Sequence, residues 1–72
     1  MNSFKELKKA IRDKKTLVWN DPDPIEGNDY TISHIEDIND IHDDWDNDTP
    51  ILIQYSNGGS EAQVYLSEIK LK

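Results

Sequence analysis

The sequence predicts a mainly β fold, in which one short helix precedes five short strands that curl into a small barrel. The main observation is the stretch 49–66, where apolar and polar residues alternate on both sides of an Asn57-Gly58-Gly59 turn. A two-residue period is typical of half-buried strands, and these turn residues favour a hairpin. The second observation is the length of 72 residues, which suffices for one domain with a small core. We therefore expect a single domain over 1–72, with a helix at 3–13 and the barrel at 16–72.

The first segment has the pattern of an amphipathic helix. Ser3 and Glu6 match the capping box, in which the first side chain caps the helix and the second lies three residues later. An apolar face and a basic face then alternate at helical spacing, formed by Phe4, Leu7, Ala10 and Ile11 and by Lys5, Lys8, Lys9 and Arg12. So short a helix is not stable alone in water, and we expect it to dock on the sheet.

The strands follow from composition and alternation. We expect a long loop after the first strand, because two prolines and several Asp and Asn residues favour turns. An acidic segment with a short helical turn should separate the second strand from the hairpin. Both Ile69 and Leu71 of the last strand should face inward. The predicted ranges are 16–19 and 30–36 for the first two strands, 20–29 for the loop, 37–48 for the acidic segment and 69–71 for the last strand.

The charge distribution limits the classes of partner that this chain could bind. The net charge is −7, and thirteen of the fifteen acids lie between Thr16 and Ile69, where there is no Lys or Arg. One interpretation is a solvated surface that keeps a monomer in solution. The other is an acidic face for a basic protein partner. Direct binding of nucleic acid does not fit this balance. The absence of cysteine leaves the redox compartment open. With no apolar run of membrane-spanning length and no secretory signal, we expect a cytoplasmic protein without membrane contact.

Neither an enzyme nor a metal site is predicted. The two histidines lie in different segments, and Ser33 and His34 should point to opposite faces of a strand, so they cannot form a nucleophile–base pair. A calcium loop would begin with Asp44, Asp46 and Asp48, but Thr49 and Tyr55 stand where such a loop needs Gly and Glu. We expect no catalytic residue, no bound metal and no cofactor.

The order of elements resembles the SH3-like barrel superfamily, which includes SH3, Tudor-like and KOW-like domains. The resemblance rests on 16–21 as first strand, 22–28 as long first loop, the hairpin 49–66 and the closing stretch 64–69. The proline-binding signature of SH3 domains is absent, since neither the Ala-Leu-Tyr-Asp-Tyr stretch nor a Trp-Trp pair occurs. The resemblance implies a barrel whose mouth aromatics bind peptides or methylated cations.

A second resemblance concerns the motif Trp19-Asn20-Asp21-Pro22-Asp23 together with 57–62. Both stretches are similar to a group of short uncharacterised bacterial proteins. This resemblance implies no activity.

Aromatic and acidic side chains are the candidate partner-binding residues. Trp45 lies among aspartates and is either a lid over a thin core or an exposed anchor. Tyr65 is out of phase with its apolar neighbours and should face solvent, whereas Trp19, Tyr30 and Tyr55 have the alternation of core residues. The predicted partner-binding residues are Trp45, Tyr65, Asp21, Asp23, Asp43, Asp44 and Asp46.

Two functions follow from these residues. The first is a small acidic protein-interaction module that binds a basic partner through exposed aromatics and acids. The alternative is an acidic mimic of nucleic acid, which would inhibit a DNA- or RNA-binding protein by placing carboxylates where phosphates would lie.

Overall fold

The computed structural model describes residues 1–23 and 28–72, and it confirms a mainly β fold with one short N-terminal helix. Two 3₁₀ turns, Ile38–Asp40 and Leu66–Glu68, precede β3 and β5. Residues 24–27 of the predicted long loop lie outside the described residues. The elements are α1 (Phe4–Arg12), β1 (Leu17–Asn20), β2 (Asp29–Ile35), β3 (Ile51–Tyr55), β4 (Ser60–Val64) and β5 (Ile69–Leu71).

The five strands form one antiparallel sheet in the order β4-β3-β2-β1-β5. The first four strands are consecutive neighbours, and β5 returns to pair with β1, so that Trp19 lies opposite both Tyr30 and Ile69. The register between β2 and β3 shifts between Ile32 and His34. In this order β4 and β5 are the two outer strands.

The β3–β4 hairpin closes with a four-residue loop between Tyr55 and Ser60. The left-handed backbone positions are Ser56, Asn57 and Gly58, with φ of 54°, 57° and 85°. The predicted turn is therefore displaced by one residue. Gly59 does not have a positive φ. Ser56 has one, although a positive φ is energetically less favourable for serine than for glycine.

Helix α1 begins as its sequence predicts. The Glu6 N–H donates to Ser3 Oγ (3.1 Å), and the Glu6 carboxylate accepts from the Asn2 N–H (3.3 Å), one residue before the usual capping-box partner. Phe4 and Leu7 are fully buried against the sheet, so the helix docks as expected. No helix in the described ranges is both long and apolar enough to span a membrane.

The core lies between α1 and one face of the sheet. Its fully buried side chains come from both elements and from the second 3₁₀ turn, and they are Phe4, Leu7, Ile53, Val64, Leu66 and Ile69. The acidic segment adds Ile41, which is 3% exposed. A core of this size leaves a modest free energy of unfolding, so each of its side chains contributes a noticeable share.

Leu71 was predicted to face inward with Ile69, yet the core does not enclose it, because half of the residue is exposed. Ile69, two residues earlier, is 1% exposed, as expected. Leu71 pairs with Leu17 at the last position of an outer strand, so it has a strand neighbour on one side only. Alternation therefore predicts which face of the sheet a residue lies on. It does not predict whether other residues bury that side chain, and at the end of an edge strand they do not.

Candidate functional site: a depression beside Trp45

The acidic segment, residues 37–48, is a succession of tight turns. The amide of Asp40 donates to the Asp37 carbonyl (2.8 Å), that of Trp45 to the His42 carbonyl (3.2 Å), and that of Thr49 to the Asp46 carbonyl (2.9 Å). The turns direct Ile38, Ile41 and Trp45 toward the core and leave the aspartates exposed to solvent. The six exposed aspartates are Asp37, Asp40, Asp43, Asp44, Asp46 and Asp48.

Two polar contacts, besides the packing of Trp45 on Phe4, join this segment to the N-terminal part of the chain. Lys8 Nζ lies 3.1 Å from Asp43 Oδ1, and Asn47 Nδ2 donates to the Asn2 carbonyl (2.9 Å). Both contacts are at the surface, so each contributes at most about 1 kcal/mol. They orient the segment without neutralising it, since Asp43 is the only one of its six aspartates that is ion-paired within the described residues.

Trp45 is half-buried and covers the edge of the core. Its ring meets Phe4 edge-on, with 5.8 Å between centroids and 81° between planes, and the ring of His42 lies 5.7 Å away, tilted by 49°. Edge-to-face contact is the preferred geometry of aromatic pairs. Most of the Trp45 ring therefore packs over the core, as expected for a lid. The rest of its surface is exposed and available to a ligand.

That remaining surface lines a depression of about 170 Å³ between the acidic segment and β3. Its apolar lining comes from Ile41, Trp45, Pro50, Ile51 and Leu52, of which Leu52 is 40% exposed. An outward-facing leucine beside an exposed proline forms an apolar patch on a surface that is otherwise acidic. Two acidic residues, Glu36 and Asp37, complete the lining.

The carboxylate of Glu36 is held in place by its neighbours. Gln54 Nε2 donates to Glu36 Oε1 (2.7 Å), and His34 Nε2 lies 3.9 Å from the same oxygen. The backbone of Glu36 is fixed as well, because its N–H donates to the Leu52 carbonyl (3.0 Å). Asp37 follows in the left-handed region with φ 53°. The two acids are thus positioned by a strand end and a fixed turn rather than by a free loop.

The structure places the other predicted partner-binding residues in different regions. Tyr65 is 46% exposed and follows Val64, the register partner of Ile51, so it lies at the Pro50 end of the hairpin. Asp21, which is half-buried, and Asp23 belong to the loop after β1, where the Asp23 N–H donates to Asp21 Oδ1 (3.0 Å).

The two groups of acids are separated along β2. The β1 loop starts beside the Asp29 end of β2, and the acidic segment leaves from its Ile35 end. Seven strand residues correspond to about 20 Å. Asp21 and Asp23 therefore form one group, and Asp43, Asp44 and Asp46 form another with Trp45.

The mouth aromatics implied by the SH3-like resemblance are packed against each other. The rings of Trp19, Tyr30 and Tyr55 have centroids 4.8 to 5.7 Å apart, and Trp19 Nε1 donates to Glu68 Oε1 (3.1 Å). Rings at this separation are in van der Waals contact, so no methylated ammonium group fits between them. These three residues support the core, as their alternation predicts.

Asp29 is the acid whose titration the surroundings clearly change. Asn20 Nδ2 donates to its Oδ1 (2.6 Å) and Lys70 Nζ lies 3.0 Å from its Oδ2. These two hydrogen bonds, that of Asn20 first, lower the pKa of Asp29 below its ordinary value of 3.8. This carboxylate is saturated with intramolecular donors and is a poor candidate for a partner.

Of the seven residues that line the depression, only Trp45 was among the predicted partner-binding residues. Glu36, Pro50 and Leu52 come from a strand end and a hairpin, and only the fold brings them to Trp45. One sequence signal was present: Leu52 is out of phase with Ile51 and Ile53, so it had to face outward. Within the described ranges, no group of three His, Cys, Asp or Glu side chains is placed to hold a metal ion.

Comparisons with protein-family models, with curated proteins and with solved structures found no match for this chain.

Proposed function

We propose that this chain is a cytoplasmic protein-interaction module that binds a basic segment of a protein partner at the depression beside Trp45. The observation that carries the proposal is the combination of an apolar lining with two acids, Glu36 and Asp37, on a cation-poor surface. Leu52 and Pro50 are exposed although both are apolar, and exposed apolar surface of this kind is typical of contact sites.

A lysine or arginine side chain has the matching chemistry. Its aliphatic stem is apolar over three or four methylene groups, and its charged end seeks a carboxylate. In the depression the stem would lie on Trp45 and Leu52, and the cation would reach Glu36 or Asp37. The electron-rich face of a tryptophan adds attraction for the cation. The unpaired aspartates of the acidic segment would raise the association rate by long-range attraction.

We further propose that the sheet closes into an SH3-like barrel. In a flat sheet the outer strands β4 and β5 would lie four spacings apart, or about 19 Å. The link between Val64 and Ile69 has four residues, three of them in a 3₁₀ turn, and it reaches only about 14 Å. The short link supports a sheet that curls until the Val64 end of β4 approaches the Ile69 end of β5. The two strands are not paired with each other, so among the described residues the outer edge of β4 stays open beyond that end.

A nucleic-acid mimic remains the second candidate. It is favoured by the exposure of all six aspartates in the acidic segment, with one ion pair among them in the described part of the chain. A mimic would use charge alone, so the apolar lining of the depression would not contribute to its affinity.

The test is a calorimetric titration with an unstructured lysine- and arginine-containing peptide, at low and at physiological salt. We expect Leu52→Ala and Glu36→Gln each to weaken binding at least about fivefold, since each removes one half of the site. The matched controls are Leu71→Ala, which shortens another half-exposed leucine, and Asp21→Asn, which removes a carboxylate from the other group. Both controls should leave the affinity unchanged.

Two results would contradict the module. One is equal weakening by Glu36→Gln and Asp21→Asn with no effect of Leu52→Ala and a steep salt dependence, which would favour the mimic. The other is the absence of binding to any basic peptide, which would remove the proposal altogether.

A further inference from the structure

The two outer strands of the sheet differ in how they are protected. β5 has three residues, and Lys70 and the following Lys72 place charges along it. Short length and lysines are the devices by which proteins keep edge strands from pairing. β4 has five residues, no proline, no lysine and one charged side chain, that of Glu61. Its edge is unprotected by comparison.

The free edge of β4 is available for pairing within the described part of the chain. β3 is its only strand neighbour there, and no backbone hydrogen bond joins residues 60–64 to any other element. In an antiparallel pair, alternate residues direct their N–H and C=O groups away from the existing neighbour. Those groups form a template for one more strand.

We infer that β4 pairs antiparallel with β4 of a second copy of this chain, centred on Ala62. A two-fold axis through Ala62 places Glu61 of each copy opposite Gln63 of the other. The carboxylate accepts from the amide in both pairs, so no like charges meet. The strand is therefore complementary to itself in this one register, which is what an isologous dimer requires.

The exposed ring of Tyr65 fits the same register. Tyr65 continues the extended backbone of β4, with φ −104° and ψ 152°, and it shares the outward face with Glu61 and Gln63. In the pairing centred on Ala62 it lies opposite Gly59 of the second copy. Gly59 is the loop residue just before β4, and an aromatic ring beside a glycine covers the backbone that the glycine leaves exposed. The dimer thus gives a role to a ring that is 46% exposed in the single chain.

The net charge of −7 does not oppose this contact at close range. The acidic segment precedes β3, at the Val64 end of β4. In an antiparallel pair the Val64 ends of the two copies point in opposite directions, so the acidic segments lie at opposite ends of the junction. The expectation of a monomer considered the net charge but not the edge of β4.

Sedimentation equilibrium of the full chain, from low micromolar to millimolar concentration, tests the inference. We expect a concentration-dependent rise from 8.3 kDa toward twice that mass. Gln63→Glu places carboxylates opposite each other twice per dimer and should raise the dissociation constant roughly tenfold or more. Gln63→Lys should lower it and make it dependent on salt. The double variant Glu61→Gln/Gln63→Glu exchanges the positions of the carboxylate and the amide. It should restore the dissociation constant of the unsubstituted chain.

The control is Asn39→Asp, which adds the same charge at an exposed position of the acidic segment, away from β4. It should change the dissociation constant much less than Gln63→Glu does. Far-UV circular dichroism at a concentration where the chain is monomeric checks that each variant is folded. Hydrogen exchange should show that alternate amides of β4 become protected as concentration rises.

A chain that stays monomeric at millimolar concentration would overturn the inference. So would a dimer in which Gln63→Glu and Asn39→Asp have equal effects, because another surface would then form the contact. Neither outcome bears on the peptide titration above, whose residues lie outside β4.

Discussion

Replacing Trp45 by alanine should destabilise the fold substantially, because the ring closes the core above Phe4. A half-buried tryptophan removes about 150 Å² from water, which at about 25 cal/mol per Å² corresponds to about 4 kcal/mol. This value is an upper bound, since the unfolded chain already shields part of the ring. We therefore expect a loss of about 2–3 kcal/mol in the free energy of unfolding. Domains of this length have roughly 4–11 kcal/mol in total.

The assay is urea denaturation followed by far-UV circular dichroism, with thermal unfolding as a second measurement. A loss of 2–3 kcal/mol corresponds to a fall of roughly 10–20 °C in the melting temperature of a domain of this size. Trp45→Phe keeps an aromatic contact with Phe4 and should cost about half as much. Tyr65→Ala is the matched control, because that ring is exposed, and it should cost about 0.5 kcal/mol or less. A cost of Trp45→Ala as small as that of Tyr65→Ala would refute the lid.

Three further predictions concern the core, the helix cap and pH. Leu66→Ala should cost about 2–5 kcal/mol in urea denaturation because the side chain is fully buried, whereas Leu71→Ala, at a half-exposed site, should cost less than about 1 kcal/mol. Ser3→Ala removes the side-chain cap of α1 and should cost about 1 kcal/mol, measured in the same way. The lowered pKa of Asp29 means that its carboxylate stabilises the folded state above pH 3.8 and that this contribution is lost as the pH falls through the folded pKa. Asn20→Ala should raise that pKa toward 3.8, as followed by the NMR shift of the Asp29 carboxyl carbon, and an unchanged pKa would contradict the assignment of its main cause.

Local patterns predicted the elements well. The capping residues and the three- and four-residue spacing of α1, and the alternation of β3 and β4, are properties of neighbouring residues. The helix and the strands β1, β2 and β5 were each found within one residue of their expected ranges, and β3 and β4 lie within the expected hairpin stretch 49–66. The short helical turn expected in the acidic segment is the 3₁₀ turn at Ile38–Asp40. Such patterns can be recognised in a sequence because they depend on residues that are close together along the chain.

The failures arose where distant parts of the chain meet. Leu71 has an inward phase, but its exposure depends on how much of the chain covers the end of β5. The depression combines Glu36, Trp45 and Leu52, whose proximity is set by the pairing of β2 with β3 and by the path of the acidic segment. Asp21 and Asp43 both lie in acidic stretches of the sequence. In the fold these stretches lie at opposite ends of β2, so the length of that strand separates the two residues.

The most direct test of the proposed function is an NMR titration of the labelled chain with the lysine- and arginine-containing peptide, which identifies the contacted residues without any substitution. The proposal predicts that the indole N–H of Trp45 and the amides of Glu36, Asp37 and Leu52 shift together and saturate at one peptide per chain. Shifts centred on the β1 loop, or spread evenly over all the acids, would contradict a site beside Trp45.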